Sequence, residues 1–278
     1  MKKWGFNFIR MGLLWQAYEA SPDFWDETYL DNLEKIVNKF GEQGIYTLID
    51  AHQDAAARRF CGEGFPDWYV TGVQDNCENT WLGHIFKQIG TCKSFKSYNI
   101  PLDEDQMPII ENCRKVFFAE YYRSPELMEI FERLFDNYNG MQDKFIEHWR
   151  RVAKRFKNNK FIVGYDLLNE PYPSNPYKDA NMAVPGASDP KIMKMYQKIS
   201  EAIWEEDPEK IVMFEPSQAP LITDYFKSIN VPGFTESVSK RKKSNKEIFN
   251  DHGYCSYDPD QTEYCKKYHE KWVKNRLD

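Results

Sequence analysis

The sequence predicts a parallel β/α fold of the barrel kind, and three observations carry that expectation. Apolar, β-branched runs alternate with segments of helical spacing along most of the chain. Strand, helix, strand in this rhythm builds βαβ units, whose strands run parallel. Five of the runs also finish in polar residues: Arg10, His52 with Asp54, Asn169 with Glu170, Glu215, and His252 with Tyr254. In a parallel β/α barrel such strand ends meet at one face, where catalytic groups collect.

Taken in order, Gly5 to Met11 reads as the first strand, with Arg10 near its end. Ser21-Pro22-Asp23 offers a helix start, Leu30, Leu33, Val37 and Phe40 follow at helical spacing, and Gly44 ends the helix. Ile45 to Asp50 is the second strand, running into Ala51-His52-Gln53-Asp54. From about 55 to 108 the pattern breaks into a long insertion after a strand, where functional loops belong. Ile109 to Asp136 reads as helical with a break at Ser124-Pro125. Phe145, Trp149, Val152 and Phe156 then share one face of a helix over 142–156. Phe161 to Leu168 is a buried strand, and Pro171, lacking an N–H for a sheet ladder, stops it. Ser188-Asp189-Pro190 is a helix cap with proline in the first turn, leading into Ile192, Tyr196, Ile199 and Ile203. Ile211 to Phe214 is a strand closed by Pro216, Glu247 to Tyr254 is a fifth, and a last helix spans about 261–276. No internal repeat or linker-like boundary divides the chain, so 1–278 is read as one domain.

Composition narrows the function classes. The chain is 41% hydrophobic and 16% aromatic, a globular balance, and its formal charge of −6 gives a nucleic-acid partner no support. Arg241-Lys242-Lys243 with Lys246 is the one basic cluster, read as a solvated loop, with contact to anionic lipid a distant second. No apolar run approaches the roughly 20 residues a membrane helix needs. Met1-Lys2-Lys3-Trp4 leads straight into the first strand, so no signal peptide is visible. Six cysteines argue the other way: Cys61, Cys77, Cys92 and Cys113 lie in or beside the insertion, and Cys255 and Cys265 form a second local group. Even number and clustering suggest disulfides and an oxidising compartment, with the pairing left open. The expectation is a secreted or lysosomal protein whose leader is missing from this sequence.

Glu170 stands where a buried strand opens into a loop. Apolar walls on one side raise a carboxyl's pKa and let it hold a proton near neutral pH, as a general acid requires. Each strand-end residue also has a plainer reading. Arg10 could pair with a carboxylate to hold the rim, His52 could be a core histidine, Glu215 a supporting anchor, and Tyr254 packing.

The order Arg10, His52, Asn169-Glu170, His252-x-Tyr254 is similar to glycoside hydrolase family 5, a retaining family built on a (β/α)8 TIM barrel. Asn7 to Trp15, Asp50-Ala51-His52-Gln53-Asp54 and Tyr165 to Pro171 resemble the signature strands of its endoglycoceramidase branch. The resemblance implies a hydrolase that frees an intact oligosaccharide from a glycosphingolipid by cutting the bond to ceramide. It implies Glu170 as acid/base and Asn169 as partner of the reacting sugar's 2-hydroxyl. His52 and Asp54 would bind sugar hydroxyls, Arg10 would steady the carboxylates, and His252 and Tyr254 would flank the nucleophile side. No cofactor and no metal is implied. Strands resembling the second to the sixth are present, while the first, seventh and eighth are missing. The barrel is therefore expected to be incomplete and the nucleophile absent from the chain. Such an open barrel leaves two unpaired edges and exposed core side chains.

Other readings stay open. A cellulase- or mannanase-type member of the same family would share these strand ends, as would a glucocerebrosidase-like enzyme. Asp50-x-His52-x-Asp54 could ligate a metal in a hydrolase of another class. A non-catalytic glycan- or lipid-binding remnant is the third. The partner is a glycosphingolipid or other glycan, with transient contact with lipid surfaces left open.

Overall fold

The structure, a computed structural model, describes residues 1–184, 186–217, 234, 236–239, 245–252, 263, 266, 267 and 270. Its centre is a five-stranded sheet in sequential order, every neighbouring pair parallel. The strands are β1 (Phe8–Leu13), β2 (Tyr46–Ala51), β3 (Ile162–Asp166), β4 (Ile211–Phe214) and β5 (Glu247–Phe249). Asp50 of β2 is the register partner of Gly12 on β1 and of Asp166 on β3, which sets two acidic residues side by side at the strand ends. The outer edges are β1 and β5, which do not pair with one another among the described residues. The expectation of exposed edge side chains is met there: Phe8 on β1 and Ile248 and Phe249 on β5 are each at least 40% exposed.

The helices, in chain order, are α1 (Trp15–Tyr18), α2 (Glu27–Glu42), α3 (Asn76–Asn79), α4 (Trp81–Gln88), α5 (Ile110–Cys113), α6 (Pro125–Phe135), α7 (Met141–Phe156) and α8 (Asp189–Glu206). Helix α2 buries Leu30, Leu33 and Val37 between β1 and β2 in the chain, as their spacing predicts. It starts later than Ser21-Pro22-Asp23 suggests. The buried Glu19 accepts from Asp23 N and Trp15 Nε1, Asp23 sits at φ +64, and the helix is capped instead by Asp26, which accepts from Thr28 N and Tyr29 N. Helix α7 buries Phe145, Trp149, Val152 and Phe156, and Trp149 Nε1 donates to Leu167 O at 3.0 Å, sealing the helix to the end of β3. Helix α8 begins at Asp189 with Pro190 in its first turn, but Ser188 caps nothing, because its hydroxyl accepts from Ser174 N at 2.8 Å.

Three further expectations need correcting. Residues 109–136 are not one interrupted helix but α5, a 3-10 helix over Phe118–Arg123, and α6. The first strand runs Phe8–Leu13, starting three residues and ending two residues later than expected. The fifth stops at Phe249, because Asn250 and His252 turn their side chains into the site described below. The insertion at about 55–108 has structure of its own. It contains α3 and α4, sends Phe60, Phe65 and Tyr69 into the main core, and is braced by disulfides Cys61–Cys113 and Cys77–Cys92. Cys255, Cys265 and Tyr254 lie outside the described residues, as does most of the expected last helix.

Candidate active site

The strand ends carry a buried layer of acids and, above it, a half-exposed layer of polar groups. The lower layer is Asp50, Asp166 and Glu215, whose side chains are at most 1% exposed. Arg10, from β1, binds all three: Nε donates to Asp166 Oδ2 at 2.8 Å, and Nη2 to Asp50 Oδ1 at 2.9 Å and Glu215 Oε1 at 3.1 Å. Three carboxylates under one guanidinium leave an excess of negative charge in a poorly hydrated place. Burial, followed by repulsion from Asp50 for Asp166 and from Asp166 for Glu215, pushes both above the usual carboxylate range, with Arg10 and His252 pulling back. For Arg10 the largest influence, burial, acts downward, yet the three carboxylates together raise its pKa. The guanidinium stays charged.

Gly12 is small for a reason: a Cβ there would lie 3.2 Å from His52 Cβ. His52 itself follows β2, with Nδ1 2.7 Å from Asp50 Oδ2 and Nε2 3.3 Å from Asp54 Oδ2. Hydrogen bonds to Asp50 and then Asp54 push its pKa up to about 10 against the cost of burial, so it carries a proton at neutral pH. Asp54 is further fixed by Tyr122 OH, which donates to Oδ1 at 3.1 Å while accepting from Ala55 N at 2.7 Å.

Glu170 is held from three sides. Its amide N donates to Glu215 Oε2 at 2.9 Å, its Oε1 lies 2.7 Å from His252 Nδ1, and its carbonyl accepts from Gln53 Nε2 at 3.1 Å. Its backbone adopts φ +41, in the left-handed region that a carboxylate-bearing residue enters only when its surroundings insist. The surroundings are Gln53, fully buried, whose Nε2 also donates to Asn169 O at 2.8 Å and whose carbonyl accepts from Asn169 Nδ2 at 2.9 Å. Gly64 makes room for this clamp, since a Cβ at that position would come within 2.4 Å of Gln53 Cβ. Asn169 Oδ1 accepts from Arg10 Nη2 at 2.9 Å. His252 Nε2 meets Asn250 Nδ2 at 3.1 Å and Glu215 Oε1 at 3.3 Å, so its ring bridges the two glutamates; the bond to Glu170 raises its pKa.

The structure thus brings together Arg10, His52, Asp54, Asn169, Glu170 and His252. Tyr254 lies outside the described residues. Arg10 touches Asp50, Asp166, Asn169 and Glu215. Gln53, Asp166, Asn250 and Tyr122 also hydrogen-bond within this cluster, although sequence reasoning assigned them no role. For Asp166 a signal existed, an aspartate at the same strand-end position as Asp50; for the other three it did not. Among the described residues Asp50 joins no metal-type cluster. Among the described residues the convergent set is His52, Asp54 and Glu63, with ligand atoms within 4.8 Å of one another, and both His52 nitrogens already face carboxylates. Chemically, the arrangement offers a part-buried glutamate, an imidazole bonded to it whose pKa that bond raises, and hydrogen-bonding groups around it.

Comparison with known proteins bears on this geometry. The sequence profile of the Cellulase family (glycosyl hydrolase family 5) matches residues 1–99 and 122–278. An endoglycoceramidase of Hydra vulgaris is 31% identical over 255 residues, covering 91% of this chain and 45% of that protein. One from Cyanea nozakii is 30% identical over 260 residues, covering 90% and 46%. Among solved structures, endo-glycoceramidase II from Rhodococcus sp. in complex with ganglioside GM3 superposes with a TM-score of 0.67 at 22% identity, covering 98% of this chain and 55% of that one. The chain spans about half the length of the relatives it matches.

Proposed function

Because this chain belongs to glycosyl hydrolase family 5, we propose that it carries the acid/base half of a retaining endoglycoceramidase, cleaving the bond between oligosaccharide and ceramide in glycosphingolipids. The observation that carries this reading is the setting of Glu170: a strained, clamped strand-end glutamate bonded to His252, next to Asn169. The names of the Hydra and Cyanea relatives support the lipid substrate, as does the ganglioside bound by the Rhodococcus protein.

In this reading Glu170 protonates the oxygen leaving with ceramide and later takes a proton from the water that releases the sugar. Asn169 has one amide N–H on Gln53 and its carbonyl on Arg10, which aims the second N–H at the sugar's 2-hydroxyl. His52 and Asp54, at the half-exposed level, take further hydroxyls. A retaining mechanism also needs a nucleophilic carboxylate about 5–5.5 Å from the acid. Glu215 is a poor candidate: Oε1 accepts from Arg10 and Asn250, and Oε2 from the Glu170 amide. We assign it to supporting Glu170, with the nucleophile supplied from outside the described residues. The two disulfides support an extracytoplasmic setting.

The test is release of intact oligosaccharide from a fluorescent ganglioside, beside hydrolysis of a soluble glucan, by the protein and its Glu170→Gln variant. Ganglioside cleavage lost in the variant by on the order of 10² to 10⁴-fold is expected. Hydrolysis of the glucan alone would move the assignment to the polysaccharide-cutting members of the family. Unchanged ganglioside cleavage by Glu170→Gln would end the acid/base role.

A further inference from the structure

Resting on the glycosidase reading above, we propose that Tyr122 is a positioning residue: it sets Asp54 to accept a hydroxyl of the glycan, and so governs affinity for the sugar without taking part in the chemistry. Tyr122 sits in the 3-10 helix Phe118–Arg123, and its hydroxyl makes two bonds to one turn, donating to Asp54 Oδ1 at 3.1 Å and accepting from Ala55 N at 2.7 Å. That turn needs holding. Ala55 and Ala56, both fully buried, follow Asp54 at φ +45 and +63, a region that a residue with a Cβ enters at a cost. Side chains satisfy both amides, Ala55 N through Tyr122 and Ala56 N through Gln53 Oε1 at 3.0 Å.

The main chain of Asp54 is fixed on its other side, where its N and O pair with Glu63 O and N at 2.9 and 2.7 Å. Its carboxylate is under opposed influences. His52 Nε2 lies 3.3 Å from Oδ2, and Glu63 brings a carboxylate oxygen within 4.8 Å. The protonated imidazole draws Asp54 toward itself and the second carboxylate repels it. The Tyr122 hydroxyl balances them by holding Oδ1. Each Asp54 oxygen then has one lone pair engaged and one open, on a side chain that is 36% exposed, which is where a sugar hydroxyl can donate. Burial, followed by the charge of Asp54, pushes the Tyr122 pKa well above 10, so it remains a donor throughout the working range.

Tyr122 is itself firmly presented. Tyr98 OH donates to Glu120 O at 2.6 Å and Tyr121 OH to Cys113 O at 2.7 Å, pinning the 3-10 helix. The Tyr122 ring packs on Phe118 and Tyr172, with centroids 5.7 and 5.2 Å away. Tyr172 lies two residues beyond Glu170, yet Glu170 takes its own bonds from Gln53, Glu215 and His252. Loss of the Tyr122 hydroxyl alone, with the ring kept, therefore leaves the acid in place and reaches the grip on the sugar.

The test compares the protein with Tyr122→Phe, Asp54→Asn and the double variant. It reads kcat and KM on a fluorescent ganglioside, Kd for the free oligosaccharide of that ganglioside by calorimetry, and melting temperature. Each single variant should raise KM and Kd about tenfold, as loss of a hydrogen bond to a charged group does, with kcat within about threefold of wild type. The double variant should bind no worse than Asp54→Asn, because Tyr122 acts through Asp54. Adding Ala55→Gly to Tyr122→Phe relieves the strained turn, so the melting temperature should rise while Kd stays at the Tyr122→Phe value. Penalties in Kd that multiply, an unchanged Kd in Tyr122→Phe, a fall in kcat at constant KM, or a Kd that recovers with the melting temperature would each overturn the proposal. If the Kd pattern holds but no ganglioside is cleaved, the enzymatic reading fails and the positioning role stands. If ganglioside is cleaved and the penalties multiply, the reverse holds. A wild-type protein that binds no oligosaccharide overturns the role as well.

Discussion

Gln53 and Asn169 grip one another reciprocally: Gln53 Nε2 donates to the Asn169 carbonyl at 2.8 Å, and Asn169 Nδ2 donates to the Gln53 carbonyl at 2.9 Å. The same Gln53 amide reaches the Glu170 carbonyl, while its Oε1 accepts from Ala56 N. One buried side chain therefore holds the backbone on both sides of the proposed acid.

Gln53→Ala strands two carbonyls and the Ala56 N–H, costing about 1–3 kcal/mol for each buried group left without a partner. Misplacing Glu170 should lower kcat on the order of 10²-fold with a smaller change in KM. Gln53→Glu should not rescue, because its oxygens keep the Ala56 contact but turn an acceptor toward carbonyls. Steady-state kinetics beside thermal melts checks this; unchanged kcat with a lowered melting temperature would assign Gln53 to stability alone.

Arg10→Met should be among the most damaging changes, by about 3 kcal/mol or more, since it leaves Asp50, Asp166 and Glu215 without their shared cation. The deficit should depend on pH. Asp166 and Glu215 are already raised above the ordinary range, so the folded state binds protons that the unfolded state releases. Stability from such groups is fully present below the unfolded pKa and declines as pH climbs through the folded one. Without Arg10 that decline steepens, and adding Asp166→Asn should recover part of the loss in a double-mutant cycle. Denaturant melts at pH 5 and pH 8 provide the readout.

His148 is buried without exposure among Trp15, Tyr18, Trp25, Phe145 and Trp149, and neither ring nitrogen finds a hydrogen-bond partner among the described residues. Burial pushes its pKa down to about 3 from 6.5. The unfolded chain therefore binds a proton first, and stability present above pH 6.5 is lost as pH falls toward 3, at on the order of 1 kcal/mol per pH unit. His148→Phe should flatten this limb. Melting temperatures of wild type and variant that fall in parallel between pH 7 and pH 4 would refute the assignment.

The Cys61–Cys113 bridge closes a span of 52 residues, which in the chain-entropy view contributes about 4 kcal/mol. Cys61→Ser/Cys113→Ser should lower the melting temperature, and hydrogen exchange should rise first over 110–123, the segment that supplies Tyr122 to Asp54. Equal protection of that segment in both proteins would show that packing, not the bridge, holds it.

What the sequence could reveal divides along physical lines. Pro171 ending an apolar run placed Glu170 at a strand end, and α2, α7 and α8 followed from apolar spacing, because these signals are local. Family likeness carried the order of the strand-end residues. Contacts between distant parts of the chain stayed hidden. Gln53 reaches 116 residues to Asn169 and Asn250 reaches 84 to Asp166, and nothing in either neighbourhood advertises that. Ser188 looked like a cap because serine caps helices, yet a partner 14 residues away claims its hydroxyl. His148 fits an amphipathic pattern like any other residue of its helix, and its isolation is a property of the rings around it.

The positive φ of Glu170 has a consequence for anyone reshaping this protein. Its carboxyl is aimed by the main chain, so altering rotamer preferences nearby will do little to redirect it. Grafting Asn-Glu-Pro onto another scaffold would transplant the letters and leave behind the tension that makes them work. A designer would have to carry Gln53, Gly64 and Glu215 across as well, moving the bow together with the arrow.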